Sequence, residues 1–112
     1  MDYGYSKNLP KKDSRQPLYK KQRKERGFDD TETWALDATI AKFVLPRLKR
    51  FKELHICHPS SVTMEEWDGI IQKMIDGFEE ALLRDEKIAD WDHEKVNAGL
   101  KLFVEYYHDL WW

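Results

Sequence analysis

One cysteine, five glycines and four prolines are spread over the 112 residues of this chain. A lone cysteine, Cys57, excludes an internal disulfide and is compatible with a reducing cytosol. The scarce glycines form no glycine-rich phosphate loop and no Gly-x-Ser-x-Gly elbow, and there is no paired Cys-x-x-Cys. Enzymatic activity therefore has no positive support, and no cofactor is implied. No apolar run approaches the length of a membrane span. The N-terminus lacks the continuous apolar stretch of a signal peptide, so cytosolic residence is expected. Aliphatic residues are also scarce over residues 1–27, whose apolar content is mainly Tyr3, Tyr5, Leu9, Leu18 and Tyr19.

What is present is 41% hydrophobic and 36% charged, which suits one small domain with a heavily solvated outside. The net charge of -2 hides an asymmetry. Residues 1–27 hold nine Lys/Arg against three Asp/Glu, and the remainder holds ten against eighteen. A basic arm on an acidic body can bind nucleic acid or an acidic partner, or it can fold back on its own body. With Pro10 and Pro17 interrupting it and little apolar surface to bury, the arm is expected to be disordered or ordered only by a partner. Lys20, Lys21, Arg23, Lys24 and Arg26 are its candidate contacts, forming a short helix on binding, with tyrosines for stacking. The competing reading is a solvated tail. The expected division is a flexible arm over 1–28 and a helical domain over 29–112.

Three amphipathic helices are expected in that domain. The first follows N-cap candidates Asp29, Asp30, Thr31 and Thr33, and shows Leu36, Ile40, Phe43, Val44, Leu48 and Phe51 on one face. It should reach Glu53 or Leu54 and kink or break near Lys42–Pro46, because proline lacks the N–H and crowds the preceding turn. The second follows Thr63-Met64-Glu65-Glu66, a capping box, with Val62 and Trp67 placed for a hydrophobic staple. Its apolar face is Trp67, Ile70, Ile71, Met74, Ile75, Phe78 and Leu82, and Gly69 and Gly77 are candidate points of close helix approach. A polar connection from Arg84 to Trp91, anchored by Ile88 and Trp91, leads to a third helix capped by Asp90 or Asp92. Its apolar residues are Val96, Leu100, Phe103, Val104, Tyr107, Leu110 and Trp111, with Trp111 expected in the core and Trp112 at an interface. The fold class is thus all-α: a three-helix antiparallel bundle with a Pro-kinked first helix behind a disordered basic N-terminal arm.

Three groupings invite chemical readings. His55, Cys57 and His58 hold too few ligands for zinc, and Cys57 is expected to be a partly buried loop residue rather than a nucleophile activated by histidine. Glu105-Tyr106-Tyr107-His108 has the Glu-x-x-His spacing of di-iron bundles, but its only companion is Asp90-Trp91-Asp92-His93, and the other helices present apolar inward faces. Arg47 and Arg50, with Trp34, combine guanidinium and aromatic groups suited to phosphate or nucleobase recognition; a solvated face paired with acidic residues is the alternative.

Trp34-Ala35-Leu36-Asp37, then Ile40-Ala41-Lys42-Phe43-Val44-Leu45-Pro46-Arg47-Leu48-Lys49-Arg50-Phe51, form a pattern with Met64-Glu65-Glu66-Trp67-Asp68-Gly69-Ile70 and Gly99-Leu100-Lys101-Leu102-Phe103 before Leu110-Trp111. From about Thr31 to Trp111 the chain resembles small helical proteins encoded by tailed bacteriophages, a family whose activity is not established. The resemblance implies a phage source and brings no catalytic residues. The expected function is a non-enzymatic accessory protein that binds a host or defence component, or its nucleotide ligand, in the cytoplasm of the infected cell. Trp34, Arg47, Arg50, the arm and Trp112 are the expected contacts. One alternative is a nucleic-acid-binding module working through the arm. Another is a minor virion or assembly protein. Partners are then a host or phage protein, a nucleotide, nucleic acid at the arm or a second copy of the chain, with no membrane.

Overall fold

Pro17 sits in the first turn of a helix rather than breaking one. Proline is suited to that position, since the first N–H groups of a helix have no intrahelical acceptor. The computed structural model describes residues 4–86 and 90–111, with backbone only for 84–86; Ile88 and Trp112 lie outside the described residues. Among the described residues there are four α-helices: α1 (Gln16–Arg26), α2 (Leu36–Leu54), α3 (Met64–Glu86) and α4 (His93–Glu105). Short 3-10 turns occupy Asp30–Thr33 and Tyr107–Asp109, and no strand occurs among the described residues. The all-α class stands, but the expected three-helix bundle with a disordered arm is corrected to four helices. Among the described residues no helix is long and apolar enough to cross a membrane.

The chain divides into two compact units, Met1–Thr39 and Ile40–Trp112, rather than at residue 28. The first unit contains the supposed arm. Its α1 ends at Gly27, whose φ of 88° is the left-handed cap conformation that glycine adopts without steric cost. The Gly27 N–H closes the helix onto the Arg23 carbonyl at 2.8 Å. The next turn begins with a capping box at Asp29 and Glu32. The Asp29 carboxylate accepts from the Thr31 N–H at 2.9 Å, and the Asp29 N–H donates to Glu32 at 2.7 Å.

Buried polar groups fill the place of an aliphatic core here. Ser6, Gln16, Arg23, Asp29 and Thr31 are all buried, beside Tyr19. The Gln16 side chain accepts the Ser6 N–H at 2.8 Å and donates to the carbonyls of Ser6 and Pro10 at 3.3 and 3.0 Å. It therefore ties the turns of residues 6–10 to the start of α1. The Thr31 hydroxyl donates to Asp29, and so accepts from Asn8 at 2.9 Å and from the Ser6 hydroxyl at 2.7 Å. Arg23 donates to Asp29 at 2.6 Å, with the two side chains only 10% and 2% exposed. Removing one partner of such a buried pair costs about 3–5 kcal/mol. Composition scored this segment as unable to order because it counts apolar area and cannot count satisfied hydrogen bonds.

The second unit has a conventional apolar core. Ala41 and Leu48 of α2 pack with Trp67, Ile71, Met74, Ile75 and Phe78 of α3. Val44, Leu45 and Phe51 from α2, and Leu102, Phe103, Tyr106 and Leu110 from the α4 side, pack against this cluster. The Thr63 capping box forms as its spacing predicts: Glu66 N–H to the Thr63 hydroxyl at 3.1 Å, and Thr63 N–H to the Glu66 carboxylate at 2.9 Å. Val62 packs against the cluster that holds fully buried Trp67. Asp92, rather than Asp90, caps α4 through the Lys95 N–H at 3.1 Å. Helix α3 continues to Glu86, so the expected connection beginning at Arg84 starts later.

Three further expectations are corrected. Helix α2 does not break at Pro46 but continues through it as one element, and it is the second helix of the chain. Pro46 lacks the N–H that would bond the Lys42 carbonyl and crowds it, and on the exposed side of the helix, where both residues lie, that acceptor can turn to water. Leu36, Ile40 and Phe43 do not face the core; they are 54%, 48% and 60% exposed. Leu100, Val104, Tyr107 and Trp111 are likewise exposed, and Trp111, at 68%, is not a core residue.

One geometric cause accounts for the rotation of α4. A Cβ built on Gly77 would lie 2.8 Å from the Gly99 Cα and 3.1 Å from the Lys95 carbonyl oxygen. Helices α3 and α4 thus meet backbone to backbone at Gly77 and Gly99. With this contact Val96 and Gly99 are buried and Phe103 is half-buried, while Leu100 and Val104 stay outside. Gly69, the other glycine expected at a close approach, has open space where its Cβ would be.

Candidate binding interface

The basic residues of α1 divide by partner. Arg23 is buried on Asp29. Arg26 pairs with Asp30, donates to the Phe28 carbonyl at 3.1 Å, and lies 4.4 Å from the centre of the Phe28 ring. Gln22 supports the same turn, donating to Asp30 at 2.9 Å and accepting the Asp30 N–H at 2.9 Å. Lys20, Lys21 and Lys24 point to solvent, with Lys21 only 3.9 Å from Glu25. The arginines of the basic segment are therefore engaged within its own unit, and its lysines remain outside.

The carboxylates record these contacts. Burial raises the Asp29 pKa, but hydrogen bonds from Thr31 and Arg23 outweigh it, and the group titrates below its ordinary value. Arg26 lowers Asp30 through its hydrogen bond. Asp13 is held down to about 2 by side-chain hydrogen bonding from Arg15, whose own pKa rises in return. Arg15 grips that carboxylate at both oxygens, 3.0 Å each.

Trp34 is 56% exposed. The Tyr19 ring stands perpendicular to it at 6.4 Å, and the Arg15 guanidinium lies 5.9 Å from its centre. Trp34 thus finds its cation in Arg15 of the same unit, a neighbour the sequence analysis did not single out. Trp112 lies outside the described residues.

Arg47 and Arg50 share the outer face of α2, at a spacing of three, with Ile40, Phe43 and Leu54. The Arg47 guanidinium lies 3.8 Å from the Phe43 ring centre and donates to the Phe43 carbonyl at 2.8 Å. Arg47 forms no ion pair among the described residues, while Arg50 reaches Glu53 at 2.7 Å. Sequence reasoning assigned Phe43 to the core and so missed it as a surface group. The available signal was its i,i+4 spacing to Arg47, which allows a ring and a guanidinium to stack on a helix surface.

The other groupings are occupied by structural contacts. His55 is nearly enclosed, with one ring nitrogen 2.7 Å from the Asp68 carboxylate and the other 3.2 Å from the Cys57 carbonyl. Both nitrogens are therefore committed away from the Cys57 thiol. Cys57 is exposed, contrary to the partly buried position expected. His58 turns to the Pro59 carbonyl at 2.9 Å. Among the described residues no three His, Cys, Asp or Glu side chains are grouped so as to hold a metal ion. A shallow groove of about 430 Å³ beside α2 and α3 is lined by Lys49, Lys52, Glu53, Gln72, Ile75 and Glu79. Its polar groups satisfy one another: Lys49 meets Glu79, Lys52 donates to Gln72, and Gln72 donates to Asp76, each at 2.8 Å.

The chain matches no protein-family model, no curated protein and no solved structure.

Proposed function

We propose that this chain is a non-enzymatic accessory protein of a tailed phage that works in the infected cell by binding a protein partner through the outer face of α2. The observation that carries this reading is the exposed Phe43–Arg47 pair, flanked by Ile40 and Arg50. Aromatic and arginine side chains dominate the energetics of protein interfaces, since they bring large contact area and several donors at once. The stacked arrangement already restricts both side chains, which lowers the ordering cost of binding. Two arginines beside an apolar centre select a partner that presents carboxylates around a hydrophobic pocket.

The nucleotide variant of the same reading rests on the same pair, because a guanidinium beside an aromatic ring also suits a phosphorylated base. Nucleic-acid binding through residues 1–27 has less support, since Arg23 and Arg26 are engaged by Asp29 and Asp30.

A photoreactive residue placed at position 43, with a control at the exposed position Glu65, tests the proposal in infected cells. The expected result is one protein adduct unique to position 43 and abolished by Arg47→Glu. A nucleotide adduct at position 43 would move the reading to the nucleotide variant. Identical adducts at both positions would remove the α2 face as the binding surface. Recovery of the chain from purified particles by mass spectrometry would favour the virion alternative.

A further inference from the structure

We infer that His55 is a proton-operated clasp on the loop between α2 and α3: as the imidazolium it ties the Cys57 backbone to Asp68, and on losing one proton it releases the Cys57 side. The inference is independent of the partner-binding reading of α2.

Both ring nitrogens of His55 face atoms that only accept. Nε2 lies 2.7 Å from an Asp68 carboxylate oxygen, and Nδ1 lies 3.2 Å from the Cys57 carbonyl oxygen. A neutral imidazole carries one N–H and one lone pair. It can serve one of these acceptors and must turn its lone pair on the other. The imidazolium donates to both at once. The side chain is only 3% exposed, which leaves little room for water to stand in for a missing donor.

The surroundings accept the charge. Asp68 brings an opposite charge and keeps its own side chain 44% exposed. The Phe51 ring is stacked on the imidazole at 5.5 Å, an arrangement that suits a cation. His55 also closes the last turn of α2, its N–H donating to the Phe51 carbonyl at 2.9 Å, and a helix C-terminus favours positive charge. The neighbouring charged groups are engaged elsewhere. On α2, Lys52 donates to Gln72, and Glu53 accepts from Arg50. On α3, Glu66 accepts the Thr63 N–H, and Glu65 is exposed. In the loop, His58 turns to the Pro59 carbonyl. Asp68 is thus the one ionisable side chain bonded to His55 among the described residues.

The two contacts are unequal. The bond to the carboxylate is charge-assisted and the shorter, so the proton that remains stays on Nε2. A lone pair then opens on Nδ1 toward the Cys57 carbonyl. The loop that carries exposed Ile56 and Cys57 loses this tie to α3. Histidine is suited to such a role because imidazole changes charge in the range of about pH 5 to 8.

The test is a pH series on the full chain, isotope-labelled for NMR and extended until the His55 ring has titrated. The ring nitrogens should show the imidazolium pattern at the acid end. As the ring loses its proton, the Cys57 carbonyl carbon should shift with the same midpoint. The protection of the bonded His55 and Val62 amides should fall together with it, by about tenfold, the worth of one hydrogen bond. Asp68→Asn separates a proton-operated clasp from a merely structural contact. Its amide offers the ring either an oxygen or an NH2, so a neutral ring can keep Nδ1–H on the Cys57 carbonyl. The loop of that variant should stay protected above the ring's titration. His58→Gln should leave the transition in place. A Cys57 carbonyl and loop amides indifferent to the His55 titration overturn the clasp. So does a transition that persists in Asp68→Asn, or one that disappears in His58→Gln.

Discussion

The two units of this chain are held by opposite chemistries. Residues 1–39 bury a relay of polar groups, Ser6 to Thr31 to Asp29 to Arg23, with Gln16 tying the turns and little beyond Tyr19 as apolar bulk. Residues 40–112 bury Trp67, Ile71, Met74, Ile75 and Phe78 of one helix against α2 and α4. Charge divides along the same line, with nine Lys/Arg and seven Asp/Glu in the first unit against ten and fourteen in the second. Apolar burial is non-directional and tolerates small adjustments, whereas a polar relay is stabilising only while every member keeps its partner. The first unit should therefore fail on single-atom chemistry and on pH, and the second on volume and shape.

The largest expected effect is in the second unit. Trp67→Ala removes the largest fully buried side chain and should cost about 3–5 kcal/mol, read from chemical denaturation. Arg23→Ala should be comparable on the other side of the comparison, at about 3–5 kcal/mol, because it strands the buried Asp29 carboxylate. Amide exchange should show that loss concentrated in residues 4–39. If exchange there is unchanged, the polar relay does not hold the unit.

Gly99→Ala is a test of shape alone. The added methyl meets the Gly77 backbone, which cannot rotate away, and overpacking of this kind costs about 1–3 kcal/mol. Gly69→Ala should be neutral or slightly stabilising, since its Cβ meets open space and alanine is the better helix former.

Acid should separate the two units. The Asp29 pKa is lowered on folding, so its contribution is complete above its unfolded value of 3.8 and is lost as pH falls through the lowered folded value. The amides of residues 4–39 should lose protection over that window, and Asp29→Asn should flatten the dependence while lowering stability at neutral pH. A small effect also belongs to the surface. Arg50→Ala breaks an exposed pair with Glu53 and should change stability by less than about 1 kcal/mol. A larger loss would mean that α2 depends on its charged face.

Much of the second unit was legible before any coordinates. The capping box at Thr63 and the Trp67-to-Phe78 face follow from local spacing, which also narrowed the α4 cap to Asp90 or Asp92, and local spacing is all that a helix start and an amphipathic stripe require. The orientation of α2 and α4 was not legible. A hydrophobicity pattern weights large side chains, but helices approach most closely where side chains are small. Ala41 on α2 and Gly99 on α4 are buried, and Phe43 and Val104 are turned outward. The candidate contacts shifted accordingly. Arg47 and Arg50 stand on an exposed face with Phe43, while Arg23 and Arg26 proved to be internal partners of Asp29 and Asp30. Residues 23 and 29 are joined through a turn whose geometry no single residue encodes.

By itself, then, the sequence determined an all-α chain without an internal disulfide, three of the four helices among the described residues, and the local signals that begin them, because these depend on neighbours within a turn or two. Only the tertiary structure decided that the basic segment folds, which arginines are consumed inside, and which apolar rows stay in water. Those outcomes depend on partners distant along the chain and on how closely two backbones can meet.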